Sequence, residues 1–227
     1  MKIKEISPHN LALLNGFQYH LKVEKGLSPN SVESYYRDLR DFLLFVQKKT
    51  ETIQTGDVIN YFVNLQGIGI SNSSIARKRS SIKSFFKFLK EEEIEISINL
   101  DDIPKIKYSQ KLPDVLSVKE MFRLLDNIPT ESMNGLRNKA MLELMYASGL
   151  RISEAINLSI HDIYWDEKVI RVMGKGGKQR VVPVAEKSME FMEQYFNSAR
   201  SLLKKEKNTD YFFLNRSGNK LSRMGVW

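Results

Sequence analysis

Two short stretches of the sequence hold residue types that suit phosphate chemistry. The first is ASGLRISEA, residues 147–155, where Arg151 follows a helix-ending Gly149 and precedes Ser153 and Glu154, which could open the next helix. An arginine fixed at such a junction offers planar, bidentate recognition of a phosphate, and the plainer alternative is an ion pair between Arg151 and Glu154. The second is GKGGK, residues 174–178, inside KVIRVMGKGGKQRVVPV. It is not a Walker phosphate loop, because Gly177-Lys178 is followed by Gln179 where that loop requires Ser or Thr. A tight turn carrying Lys175 and Lys178 can still meet a phosphate through ammonium and backbone N–H groups, and otherwise it is a solvated hairpin tip.

Other chemistries are excluded by what the sequence lacks. There is no cysteine, which removes thiol nucleophiles, disulfides and thiolate metal sites. His9, His20 and His161 are isolated, no His-Glu-x-x-His pair occurs, and no Gly-x-Ser-x-Gly elbow occurs. Neither a metal site nor a cofactor is expected. The aromatic pairs Tyr35-Tyr36 and Phe85-Phe86 fall at helical spacing and read as core, not as base-stacking platforms.

These residues need elements to hold them. In the first hundred residues the apolar positions recur every three or four residues, which predicts four helices. One carries Leu13, Leu14, Phe17 and Leu21 and closes at Gly26. The next starts at the Ser28-Pro29 cap and carries Val32, Leu39, Phe42 and Leu43. The third is capped by Thr55, and the fourth begins near Ser73. On the fourth, Ile75, Ile82, Phe86 and Leu89 form one face, with Arg79, Lys83, Lys87 and Lys90 beside it. Further on, Ser117 and Glu120 make a capping box, and a helix through Leu136, Ala140 and Leu144 stops at Gly149. A β-hairpin around the glycines, a long helix from 186 to 205, a short strand at 211–214 with Tyr211 in its core, and a turn at 217–219 complete the pattern.

Charge sharpens the picture. The chain has 227 residues and a formal charge of +8. Between Ile75 and Lys90 there are six basic residues and no acid, whereas Glu91 to Asp102 holds six acids and no base. The stretch PKIKYSQKLP, 104–113, has three lysines and little apolar periodicity and reads as an extended linker. The expected domains are therefore 1–103 and 114–227, joined by 104–113. A basic surplus favours an anionic partner. The start MKIKEISPHN lacks the apolar core of a signal peptide, and no run of about 18 apolar residues occurs, so a cytoplasmic location and no membrane partner are expected.

Taken in order, SPNSVESYYRDLRDFLLFVQ, IARKRSSIKSFFKFL, SGLRISEAINL, RVMGKGGKQRVVPV and FFLNRSGNKLSR resemble the Xer-type tyrosine site-specific recombinases of the phage integrase family, across essentially the whole chain. The resemblance implies a mainly α protein: a four-helix, SAM-like core-binding domain, then an incomplete α+β catalytic domain of the DNA breaking-rejoining type with a β-hairpin or small sheet. It assigns Arg151 to the scissile phosphate, Glu154 as an accessory acid that holds the pocket, and Lys175 as the acid that protonates the leaving 5′ oxygen. A lysine beside an arginine and partly desolvated has a lowered pKa, which suits that role. Arg77, Lys78, Arg79, Lys83, Lys87, Lys105, Lys107, Lys178 and Arg180 are the expected DNA contacts. The partners implied are a double-stranded recombination site and further recombinase subunits, as a tetramer on two sites.

The family's His-x-x-Arg box and tyrosine nucleophile are not matched: residues 12, 23 and 164, three beyond each histidine, are Ala, Val and Tyr. A truncated recombinase is therefore expected, one that binds DNA without forming the 3′-phosphotyrosyl intermediate. The alternative is a non-catalytic DNA-binding or regulatory module derived from a shortened recombinase.

Overall fold

The structure is a computed structural model and describes residues 5–106 and 114–226, with the backbone but not the side chain of Lys175. The chain divides into two compact units, 1–112 and 113–227. Among the described residues no helix is long and apolar enough to cross a membrane.

Four helices build the first unit: α1 (Pro8–Val23), α2 (Pro29–Val46), α3 (Thr55–Gly67) and α4 (Asn72–Glu91). Ser7, Ser28 and Ser71 cap α1, α2 and α4, each hydroxyl accepting from a backbone N–H three residues on. In α1 and α2 a proline fills the first helical position, where the absent N–H costs nothing. Two expected boundaries shift. α1 ends at Val23 and Gly26 lies beyond it with φ of 59°, turning the chain into α2. Thr55 is the first residue of α3 and not its cap, because Asp57 reaches back to the Gln54 N–H at 3.0 Å.

The expected apolar faces meet in one core. Leu14, Phe17, Leu39, Phe42, Ile75, Ile82, Phe85, Phe86 and Leu89 are all buried, and Phe17 meets Phe85 edge-on with ring centroids 5.4 Å apart. Each such side chain removed from water contributes on the order of 2 kcal/mol, which outweighs the weak helix propensity of the β-branched and aromatic residues here. Tyr35 and Tyr36 pack partly buried against the same core. Buried Asn10 pins the α2–α3 connection, donating to the Lys48 carbonyl at 2.8 Å and accepting from the Thr50 N–H and hydroxyl at 3.1 and 2.9 Å.

The second unit holds α5 (Val118–Asp126), α6 (Met133–Ser148) and α7 (Ile152–Asn157), followed by an antiparallel sheet of β1 (Ile163–Tyr164), β2 (Val169–Met173) and β3 (Gln179–Pro183) in that order. The β2–β3 register runs from Val169 opposite Pro183 to Met173 opposite Gln179, so a single turn at Lys175–Gly177 joins them. The Ser117/Glu120 capping box forms as expected.

The expected long helix is continuous but widened: α8 (Glu186–Gln194) passes through a π-helical segment, Tyr195–Arg200, into α9 (Ser201–Lys204). That insertion turns Tyr195, Ala199 and Arg200 inward together. The expected strand at 211–214 is absent; only isolated bridges form there, Ser159 with Tyr211 and Leu214 with Lys220. Two buried arginines take the backbone groups a strand would have paired. Arg200 donates to the carbonyls of Thr209, Tyr211 and Phe212, and Arg137 to that of Leu214 at 2.9 Å. Phe212, Phe213 and Leu214 are buried, whereas Tyr211 is 38% exposed beneath the Lys220 ammonium and is not core.

Candidate phosphate site and nucleic-acid interface

Gly149 ends α6 in the left-handed region at φ of 60°, and the Leu150 N–H bonds back to the Met145 carbonyl. The chain thereby turns out of one helix and enters the next within three residues. Arg151 occupies the N-cap position of α7, so the helix begins at Ile152, one residue before the Ser153-Glu154 start expected from sequence. An arginine has no side-chain acceptor to cap a helix with. Glu154 supplies what is missing: its Oε2 accepts the Arg151 backbone N–H at 2.9 Å, while its Oε1 accepts Arg151 Nη1 at 3.1 Å.

Glu154 also receives a second arginine. Arg180, on β3, donates Nη1 to Oε1 at 2.8 Å and Nη2 to Oε2 at 3.0 Å, a bidentate fork 26 residues away in sequence. The side chain of Glu154 is 4% exposed, that of Arg180 40% and that of Arg151 71%. The fork from Arg180 outweighs burial and, with the bonds from Arg151, holds the Glu154 carboxyl at about 2. One carboxylate and two guanidiniums leave the cluster with a net positive charge, presented chiefly by Arg151. Among the described residues, the Arg151 side chain bonds to Glu154 alone.

The hairpin is joined to this cluster through Arg180. Just before the tip, the Gly174 N–H closes onto the Lys178 carbonyl at 2.8 Å. Lys178 is exposed at the tip, and the side chain of Lys175 lies outside the described atoms. Arg180 was expected among the DNA contacts; here both of its terminal nitrogens are committed to Glu154.

The cationic residues of α4 and of the segment after it are held in different ways. Arg77 pairs with buried Asp38 and donates to the Ser34 hydroxyl at 3.2 Å, keeping half of its side chain exposed. Lys78 is not on the outer face: its side chain is 10% exposed, with its ammonium 3.3 Å from Asp38 and 2.9 Å from Asp41. Arg79 donates to the carbonyls of Ile103 and Pro104 at 2.9 and 2.8 Å, so it tethers the segment that leaves the unit. Lys83, partly buried, and Lys87, exposed, make loose pairs with Asp101 at 3.7 Å and Glu91 at 3.6 Å, and Lys90 and Lys105 are exposed. Such pairs exchange readily for phosphates because they contribute little in water. Lys83, Lys87 and Lys90 line a groove of about 570 Å³ together with Ile96, Ile98 and Leu100. Lys107 lies outside the described residues.

Sequence reasoning missed Asp38. It orients Arg77, neutralises Lys78 and accepts from the Ser81 hydroxyl at 2.9 Å. The available signal was its place one residue before Leu39 and four before Phe42, on the core side of α2, facing a helix that carries Arg77-Lys78-Arg79. The three histidines lie in separate places. His9 pairs with Glu51 on the surface, His20 stacks on Phe17 in the core, and His161 lies exposed near Asp210. Tyr195 is fully buried, its hydroxyl accepts the Leu214 N–H, and burial pushes it up to about 12. Among the described residues, no group of three or more His, Asp or Glu is gathered in a way that could hold a metal ion.

Comparison with known proteins agrees with this architecture. Residues 114–227 match the phage integrase family and residues 14–93 match the phage integrase N-terminal SAM-like domain. The chain is similar to the tyrosine recombinase XerD of Oceanobacillus iheyensis, 38% identical over 220 residues covering 94% of this chain and 74% of that protein. It is also similar to the tyrosine recombinase XerD of Chlorobaculum tepidum, 38% identical over 221 residues covering 94% and 72%. Among solved structures, the XerH site-specific recombinase bound to difH substrate in a pre-cleavage complex is similar with a TM-score of 0.74. It is 19% identical, over 99% of this chain and 78% of that one. A lambda integrase dimer bound to a COC′ core site is similar with a TM-score of 0.69, at 14% identity over 95% and 77%. At these identities the structural likeness speaks for the fold alone.

Proposed function

The chain belongs to the phage integrase family as a tyrosine recombinase, and on that premise we propose that it recognises a specific site in duplex DNA and grips the scissile phosphate with Arg151. The observation that carries this reading is the Arg151–Glu154–Arg180 cluster, an exposed guanidinium aimed by a buried carboxylate that is itself clamped. Attack on a phosphodiester moves negative charge onto the nonbridging oxygens. A fixed guanidinium stabilises that state more than the ground state, and no rearrangement is needed at the moment of reaction. When the phosphorus–O5′ bond breaks, the alkoxide needs a proton. Family resemblance gives that task to Lys175, on the turn Lys175–Gly177.

Binding divides between the units. Arg77, Lys83, Lys87, Lys90 and Lys105 are exposed or half-exposed cations suited to phosphates, and Arg77, held by Asp38, is the best-fixed candidate to read a base edge. Lys78 serves the fold. The partner is double-stranded DNA, with further recombinase subunits on a second site. The test is selection of duplexes from a random pool, followed by affinity measured across salt concentration. One enriched sequence class and a steep loss of affinity with salt support the reading; no enrichment and a flat salt response overturn it.

We further infer that these 227 residues, taken by themselves, bind DNA without cutting it. No histidine is followed by Arg at the third position, and Tyr195 is buried with its hydroxyl engaged. Incubation with the selected duplex and denaturing electrophoresis tests this. A covalent protein–DNA adduct contradicts it.

A further inference from the structure

We propose that Arg180 is a positioning residue, not a DNA contact: it clamps Glu154 so that Glu154 can aim Arg151, and it ties the hairpin tip to the start of α7. The proposal rests on the reading of Arg151 as the phosphate-gripping residue. It deepens that reading by assigning the residue that builds the grip.

The geometry is specific. Arg180 donates two parallel bonds to the two oxygens of one buried carboxylate, the arrangement in which a guanidinium fixes orientation as well as charge. Glu154 then has each oxygen doubly used: Oε1 by Arg180 and the Arg151 side chain, Oε2 by Arg180 and the Arg151 backbone N–H. Without Arg180 the carboxylate would keep only contacts from Arg151 itself, three residues away. It could then rotate with the side chain it is meant to hold. Arg180 comes from another element, so it supplies the fixed reference.

Gly174 supports the same conclusion independently. A Cβ there would lie 3.2 Å from Arg180 Nη1, 3.3 Å from the Lys178 carbonyl oxygen and 4.0 Å from Glu154 Oε1. Its φ of −87° is open to any residue, so a glycine is not needed for backbone freedom at this position. What it leaves is room for the guanidinium to pass beside the hairpin and reach the carboxylate. The clamp therefore lies directly against the base of the turn Lys175–Gly177, and displacement of one element is felt by the other.

The experiment is a double-mutant cycle on affinity for a duplex selected with the wild-type chain, using Arg151→Gln, Arg180→Gln and the double variant, with Arg180→Lys as the conservative control. If Arg180 acts through Arg151, Arg180→Gln weakens binding by about tenfold in the wild-type background and has no further effect beside Arg151→Gln. Arg180→Lys, with one bond in place of two, recovers part of the loss. Equal losses in both backgrounds make Arg180 a direct DNA contact and overturn the proposal.

Gly174→Ala removes no charge and crowds the clamp, so its loss of affinity is also expected to vanish beside Arg151→Gln; a loss that persists there counts against the proposal. If Arg151→Gln leaves binding unchanged, the phosphate-grip reading fails, and the clamp is judged by the carbon-13 signal of the Glu154 carboxyl. A Glu154 that titrates in the ordinary range in Arg180→Gln keeps the clamp. A Glu154 still held as low as in the wild type discards it.

Discussion

Glu154→Gln removes one negative charge from a nearly isosteric side chain, and the consequence has a sign and a size. In the folded protein Glu154 is held at about 2, against an ordinary value of 4.5, chiefly by the fork from Arg180 and then by the bonds from Arg151. A carboxyl depressed on folding contributes stability that is fully present above pH 4.5 and is lost as pH falls towards 2. At about 1.4 kcal/mol for each pH unit of separation, the full contribution is about 3 kcal/mol. Near pH 3 only about 1 kcal/mol of it remains. The neutral amide carries none of this dependence, so the stability gap between wild type and Glu154→Gln is expected to shrink by about 2 kcal/mol between pH 6 and pH 3. Taking the difference cancels every other carboxylate. Both tryptophans, Trp165 and Trp227, belong to the second unit. Trp165 packs against Phe196 and Phe212 with centroids 5.8 and 6.3 Å away, so urea unfolding followed by tryptophan fluorescence reports on that unit. A gap that is the same at pH 6 and pH 3 would refute the account of Glu154 as a clamped carboxylate.

Further outcomes follow from the same physics. Asp38→Ala strips the buried carboxylate from Arg77 and Lys78 and leaves Lys78 with Asp41 alone, so the first unit is expected to lose about 3 kcal/mol, measured by thermal unfolding of far-ultraviolet dichroism. Gly218→Ala forces a side chain onto a residue with φ of 73° and puts its Cβ 2.7 Å from the Leu203 carbonyl; a loss of about 2 kcal/mol in urea unfolding is expected, and an unchanged midpoint would contradict it. Lys87→Gln is expected to lower the slope of log affinity against log salt by about 0.9, whereas Lys78→Gln is expected to lower stability and leave the slope alone. In a chain that carries the family's His-x-x-Arg box and tyrosine, Lys175→Ala is expected to block cleavage of an ordinary phosphodiester and to be rescued by a 5′-bridging sulfur, which leaves without a proton.

The helices of the first unit were legible because their apolar residues recur at 3.6-residue spacing and serine caps mark three of the four starts. The hairpin was legible from its glycines. The segment 211–214 was misread as a strand because its aromatic run has strand composition. What settles its state is Arg137 and Arg200, distant in sequence, which occupy its carbonyls. Arg151 and Glu154 could be paired from their spacing alone, but Arg180 could not. Two residues past a basic turn it looks like one more solvated cation, and its partner lies 26 residues back. Lys78 misled for the opposite reason, since a cation between Arg77 and Arg79 looks exposed until the carboxylates of Asp38 and Asp41 are placed beside it. Local pattern reveals faces and caps; only the fold reveals which charges are already taken.

Arg151 is proposed to grip one particular phosphate of a specific duplex. The direct measurement is affinity for a series of the selected duplexes, each with a single phosphate replaced by a neutral methylphosphonate, using the wild-type chain and Arg151→Gln. At one position neutralisation is expected to weaken the wild type by about tenfold and to leave Arg151→Gln unaffected. If every position that weakens the wild type weakens the variant equally, Arg151 does not hold a phosphate and the account is wrong.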